Sequence, residues 1–132
     1  MRSINFLGDY FELGGDYGAE HIKIFLRALV ESDIHYLRTH PRTPNLYDAG
    51  VRYEREPPGQ EHWKTIPEIL SDGFGDCEDL ASWRVAELRV RQNRNDVQVF
   101  RKRRTMNGIH LFHIVVRYQN GQIEDPSKIL GM

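Results

Sequence analysis

The sequence has a single cysteine among its 132 residues, which excludes an internal disulfide and a zinc site built from several cysteines. It also has no apolar run long enough to span a membrane or to form a signal peptide. The net charge of -1 provides no general attraction to nucleic acid or anionic lipid, and no glycine-rich or Walker-type nucleotide motif is present. We therefore expect a cytoplasmic protein with a free thiol.

The hydrophobic patterns predict one α+β domain over residues 1–132, with helices first and an antiparallel sheet after them. Residues 1–18 are predicted to be an irregular arm. Capping residues and apolar spacing predict three helices, over residues 19–38, 66–72 and 77–90. Alternating apolar residues and a turn at Asn120-Gly121 predict three strands, over residues 97–104, 109–118 and 122–125.

The lone cysteine, Cys77, lies where a glycine-rich turn meets a helix, in the stretch GFGDCEDLASWRVAELR (73–89). A lone cysteine is more often a small buried hydrophobe than a nucleophile. Here, however, Gly75 and Asp76 suit a tight turn with uncovered backbone amides, and the positive end of a helix dipole lowers a thiol pKa. Glu78 and Asp79 are explained by the preference of acids for a helix start. We expect Cys77 to be an activated thiol.

A nucleophilic thiol needs a histidine to take its proton, and the predicted strand 109–118 carries two, His110 and His113. The two residues face opposite sides of the sheet, so only one of them can serve Cys77, and a metal shared by both is not expected. The candidate to orient that histidine is Asp125, on the returning strand.

The length of the hairpin loop decides which histidine Asp125 can reach. A two-residue loop would place Asp125 opposite Val116, on the His110 face but about 20 Å from His110. A three-residue loop with Gly121 in the left-handed conformation would place it opposite Val115, diagonal to His113 and close enough for a hydrogen bond. We therefore predict the set Cys77, His113 and Asp125, together with this register.

These motifs resemble the transglutaminase-like superfamily of papain-like cysteine enzymes. Over residues 60–127, the resemblance includes the stretch TIPEIL, which is similar to the helix that precedes the family's cysteine turn. Cys77, Asp79 and Ala81 match its cysteine block, and His113 with Asp125-Pro126 matches its second block. The ending EDPSKILGM resembles small stand-alone members from bacteria and their phages, which implies the cytoplasm of a bacterial host.

The resemblance implies a papain-like core, with the cysteine helix packed on an antiparallel sheet, and acyl transfer on a peptide or glutamine amide through a thioester. Water as acceptor would make the protein a peptidase or amidase, and a lysine amine would make it a transglutaminase. The oxyanion donors would lie in the turn at Gly75, Asp76 and Cys77, with Trp63 the only tryptophan upstream, although core packing explains Trp63 more simply. No metal or other cofactor is expected, and the partner is a protein or peptide substrate.

Two other functions remain open from the sequence. Val115 stands where the family often has an aromatic residue, so the chain could be an inactive binding or structural module with the same fold. The basic stretch RKRR (101–104), with Arg89, Arg91 and Arg94, is the only feature that favours nucleic-acid binding. A charged edge strand explains that stretch equally well, and we expect no nucleic-acid partner.

Overall fold

The computed structural model describes residues 16–56 and 62–132, which form an α+β arrangement. The helices are α1 (Asp16–Thr39), α2 (Ile66–Asp72), α3 (Cys77–Arg91) and α4 (Pro126–Ile129), with a 3-10 turn at Leu46–Asp48. The strands are β1 (Arg52–Tyr53), β2 (Phe74–Gly75), β3 (Val97–Met106), β4 (Ile109–Tyr118) and β5 (Ile123–Glu124).

Helix α3 lies at the centre of the molecule, between α1 and the sheet of β3, β4 and β5. That sheet is antiparallel with the order β3-β4-β5, as the sequence predicts. Trp83 on α3 is completely buried, and apolar residues of α1 and of β4, such as Leu26 and Val116, belong to the same hydrophobic core. The burial of α3 on most of its surface makes it a rigid support for the cysteine at its first position.

The second helix follows the predicted capping chemistry closely. Thr65 is its N-cap, and the backbone N–H of Thr65 donates to Oε1 of Glu68 at 3.0 Å. Gly73 ends the helix with a φ of 83°, a left-handed conformation that glycine adopts without steric cost. The chain therefore turns sharply from α2 into the short strand β2 that leads to Cys77.

Three features differ from the sequence expectations. Helix α1 begins at Asp16 rather than at residue 19, and residues 1–15 of the predicted arm lie outside the described residues. Two short segments outside the predicted strands form a small parallel sheet, in which β1 pairs with β2. The short helix α4 was not predicted, because four residues are too few to show a helical period.

Within residues 16–56 and 62–132, none of the helices combines the length and the apolar character needed to cross a bilayer.

Candidate active site around Cys77

Helix α3 begins at Cys77 because two acidic side chains cap its start reciprocally. Asp76 is the N-cap, and its Oδ1 accepts the backbone N–H of Cys77 at 2.7 Å. Oδ2 of Asp79 in turn accepts the backbone N–H of Asp76 at 3.0 Å. The prediction that the cysteine occupies the first turn of a helix is therefore confirmed.

The glycine at position 75 is required by the close approach of the turn to α3. A Cβ atom at Gly75 would lie 3.1 Å from Cβ of Asp79 and 3.3 Å from Cδ2 of Leu80. The carbonyl of Gly75 accepts the backbone N–H of Glu54 at 3.0 Å, which extends the pairing of β1 with β2. Gly75 is thus a buried packing position, and its contacts hold the turn in front of Cys77.

A buried lysine that the sequence did not single out supports the same turn. The backbone N–H of Lys64 donates to Oδ1 of Asp79 at 2.8 Å, and its ammonium lies 3.5 Å from the ring centroid of Phe74. The ammonium also pairs with Glu56 at 3.3 Å and with Asp72 at 3.0 Å. Burial lowers the pKa of Lys64, but these two carboxylates outweigh it and raise the pKa above its ordinary value. No spacing signal in the sequence identifies a long-range contact of this kind.

The predicted hairpin register and the predicted His113–Asp125 contact are both confirmed. Val116 pairs with Glu124, and Gly121 in the three-residue loop has a φ of 91°. One step further along this register places Asp125 opposite Val115. Nε2 of His113 donates to Oδ2 of Asp125 at 2.8 Å.

Asp125 has two roles at once, since it is also the N-cap of α4. Its Oδ1 accepts the backbone N–H of Lys128 at 3.4 Å, whereas its Oδ2 holds His113. The capping contact fixes the carboxylate, and the carboxylate fixes the imidazole. The other histidine of the strand, His110, lies in β4, but its side chain is outside the described part of the chain.

The thiol of Cys77 reaches the edge of β4 next to His113. The backbone N–H of Tyr118 donates to the carbonyl of Gln122, so the N–H groups of alternate β4 residues, including Ile114, point to the β5 side. Because β5 ends at Glu124, the N–H of Ile114 has no strand partner there and is directed at Sγ of Cys77. The sulfur therefore lies beside the peptide that follows His113.

The structure does not join Cys77 to His113 by a hydrogen bond. Sγ of Cys77 instead donates to Oε2 of Glu78 at 3.3 Å. In the described part of the chain, Nδ1 of His113 has no hydrogen-bond partner, since the only contact of this ring is through Nε2. The imidazole thus has one nitrogen fixed by Asp125 and one nitrogen free to exchange a proton.

The expectation that the helix start lowers the thiol pKa is wrong. Burial raises the pKa of Cys77 well above its ordinary value, and the negative charges of Glu78 and Asp76 raise it further. The N–H of Ile114 lowers the pKa of Cys77, but this effect is smaller than the combined effect of burial and the two carboxylates. Glu78 itself is buried, and burial raises its pKa well above the ordinary range. Cys77 is therefore a protonated thiol at rest, not a preformed thiolate.

The residues suggested as oxyanion donors have other contacts. The Cys77 N–H is occupied by Asp76, as described above, and a carboxylate at this point would repel a developing oxyanion. Trp63 is half-buried and packs edge-on against Phe25 of α1, with ring centroids 5.9 Å apart. Potential metal-ligating atoms of Asp76, Cys77 and Glu78 lie within 4.8 Å of one another, but all three come from consecutive residues of one capped helix start.

Three of the arginines considered for nucleic-acid binding, Arg89, Arg91 and Arg94, are engaged within the fold. Arg89 donates to the carbonyl of Val97 at 2.8 Å, and Arg94 pairs with Asp96 at 2.8 Å. Arg91 donates to the carbonyl of Thr43 and to the side chain of Asn45. These contacts give the three residues structural roles.

Comparison with known proteins gives no relative: no family model, no curated protein and no solved structure matches the chain.

Proposed function

We propose that the chain is a transglutaminase-like enzyme that transfers an acyl group from a peptide or glutamine amide through a thioester on Cys77. The observation that supports the proposal most strongly is the His113–Asp125 pair, 2.8 Å apart, at the edge of β4 where the Cys77 thiol meets the N–H of Ile114. A cysteine at a helix start, with a carboxylate-oriented imidazole on the adjacent strand, has the components of a nucleophile and its general base.

The protonated thiol dictates the order of proton transfers. His113 takes the proton of Cys77 on Nδ1, because Nε2 is bound to Asp125. The sulfur then attacks the amide carbonyl carbon, and the C–N bond breaks as the imidazolium returns the proton to the leaving amine. The Asp125 carboxylate stabilises the charged imidazolium between the two transfers. The products of this half-reaction are a Cys77 thioester and a free amine, or ammonia when the donor is a glutamine side chain.

The second half-reaction consumes the thioester. A water molecule or a primary amine gives a proton to His113 and attacks the thioester carbonyl, and the Cys77 sulfur leaves and regains the proton. A small domain does not easily exclude water from a thioester, so we favour hydrolysis as the default reaction. Oxyanion stabilisation requires the Cys77 N–H to be released from Asp76, since a donor must point at the developing charge.

The test is trapping of the thioester with hydroxylamine, with a panel of blocked glutamine and peptide amides as acyl donors. We expect a hydroxamate product that disappears in Cys77→Ala and falls at least about a hundredfold in His113→Gln. The matched control is His62→Gln, because His62 forms a similar pair with Glu68 at 2.5 Å on the surface. Loss of product in both histidine variants, or product in Cys77→Ala, would contradict the proposal.

A second candidate is an inactive binding module with the same fold. The raised pKa of the thiol and the occupied Cys77 N–H favour it, since both oppose nucleophilic attack. Asp76→Ser distinguishes the two functions, because serine keeps an N-cap acceptor but removes the charge. An enzyme should gain activity from this change, whereas an inactive module should yield no hydroxamate before or after it.

A further inference from the structure

A groove with a volume of about 630 Å³ lies between α1 and β3, at a distance from the cysteine site. Arg89, which lines the groove, is twelve residues along α3 from Cys77, or about 18 Å. This volume is in the range of ligand-binding sites. The groove is therefore a separate feature of the molecule, and an inference about it does not depend on the proposed acyl transfer.

The groove follows the outer edge of β3. Four consecutive residues, Gln98 to Arg101, line it, although successive side chains of a strand point to opposite faces. Contact with both faces means that the groove runs along the edge between them. Within residues 16–56 and 62–132, β3 pairs in the sheet with β4 alone, so the backbone groups of its other edge face the groove. An unpaired edge of this kind is a template for another extended chain.

The opposite wall of the groove is apolar, and its rim is basic. Ile22, Leu26 and Val30 of α1 form the apolar wall. The charged residues that line the groove are Lys23, Arg27, Glu31, Arg89, Arg101 and Arg117. Five of these six carry a positive charge, although the whole chain has a net charge of -1. The groove therefore concentrates positive charge on a molecule that is nearly neutral.

Two of the arginines lie on different faces of the sheet edge. The guanidinium of Arg117 lies 4.9 Å from the ring centroid of Phe100, on one face, and that of Arg101 lies 4.4 Å from the ring centroid of Phe112, on the other. Nη1 of Arg101 is buried and has no hydrogen-bond partner in the described part of the chain. A buried N–H donor without an acceptor costs free energy, which an anionic ligand would recover.

We propose that this groove binds an extended peptide with acidic side chains, which adds to the edge of β3 as a further strand. Backbone hydrogen bonds to Val99 and Arg101, whose N–H and C=O groups point away from β4, would supply affinity, and carboxylates of the peptide would pair with Arg101 and Arg117. Strand addition beside a flanking wall is an established mode of peptide recognition.

The test is fluorescence anisotropy of the full chain with a labelled eight-residue peptide of alternating Glu and Val, blocked at both ends. We expect saturable binding that weakens as salt rises, and about tenfold weaker binding to a Lys-Val peptide. Methylation of the four central backbone nitrogens of the peptide should abolish binding. Arg101→Gln and Arg117→Gln should each weaken binding several-fold. In the wild-type complex, amide exchange should become slower at Val99 and Arg101.

The control variant is Lys128→Gln, an exposed change on α4 that should leave binding unaltered. Thermal melts of all variants show whether each one folds. The proposal would be overturned if the Glu-Val and Lys-Val peptides bound equally well, or if the methylated peptide bound as well as the unmethylated one. Displacement of the wild-type signal by decanoate without amide protection at Val99 and Arg101 would assign the groove to a small anionic amphiphile. Self-association that is weakened by the arginine changes, without peptide binding, would assign it to a second copy of the chain.

Discussion

The two halves of helix α3 bury acidic side chains under opposite electrostatic conditions. In the second half, Arg84 pairs with Glu87 at 2.7 Å and with Glu124 of β5 at 2.6 Å. Burial raises the pKa of Glu124, but hydrogen bonds from Arg84, Tyr47 and Tyr118 outweigh it, and the net pKa is lowered. Burial dominates at Glu87, whose pKa is raised in spite of Arg84. This cluster connects α3 to the strand that directly precedes Asp125.

In the first half of α3, Glu78 and Asp79 are buried without a cationic side chain among their hydrogen-bond partners in the described residues. Burial raises the pKa of both well above the ordinary range. Uncompensated acids reduce stability, and such groups are concentrated at functional sites. The comparison separates the Arg84 cluster, which stabilises the fold, from the acids beside Cys77, which are buried without a cation at the proposed site.

The largest effect that this comparison predicts is the loss of the Arg84 cluster. Arg84→Met keeps an unbranched side chain but leaves Glu87 and Glu124 without their cation, so we expect a loss of about 3 kcal/mol in the free energy of unfolding. Urea denaturation at pH 7 measures it. The control is Arg94→Met, which breaks the more exposed pair with Asp96 and should barely move the midpoint. Equal midpoints for the two variants would show that the cluster is not a structural clamp.

A smaller loss is expected from the packing of the turn on the first half of α3. Gly75→Ala places a methyl group 3.1 Å from Cβ of Asp79, and the turn must move to accommodate it. We expect a loss of about 1–3 kcal/mol in the free energy of unfolding, as for other overpacked sites. Ser71→Ala, an exposed change on α2, is the control for denaturation. An unchanged Gly75→Ala variant would mean that the turn is not tightly packed against the helix.

The sequence predicts most of the fold because its signals are local. Thr65 and Gly73 bound α2 through capping chemistry, and Gly121 sets the hairpin loop that brings Asp125 to His113. The register prediction was successful because one loop length leaves a single histidine within reach. The strands β1 and β2 were missed, since two-residue strands have no period to detect.

The electrostatics of the site could not be predicted in the same way. The dipole of α3 is a local property and suggested a lowered thiol pKa, but the burial of Cys77 and Glu78 depends on packing between distant segments. The contact of Lys64 with Asp79 spans fifteen positions and has no sequence signal. The sequence around Cys77 identifies a candidate nucleophile, whereas the protonation state of the thiol depends on the whole tertiary structure.

The smallest effect concerns the acid next to the thiol. Glu78→Gln keeps a hydrogen-bond acceptor for Sγ but removes the negative charge that Glu78 carries at the alkaline pH where Cys77 titrates, and that charge raises the pKa of Cys77. We expect that pKa to fall, measured from the rate of iodoacetamide alkylation against pH. Cys77 is the only cysteine, so the alkylation reports on it alone. Glu31→Gln on α1 is the control and should leave the profile unchanged.

The same Glu78→Gln variant has a defined pH dependence of stability. Because the folded-state pKa of Glu78 is raised above its ordinary 4.5, the folded wild type retains a proton that the unfolded chain loses. The contribution of Glu78 to stability is therefore complete below about pH 4.5 and is lost as the pH rises through the folded-state pKa. The glutamine variant lacks this loss, so its stability relative to wild type should increase from pH 5 to pH 8. A constant difference between the two proteins across this range would mean that Glu78 is ionised in the folded state, and the contrast between the two halves of α3 would then fail.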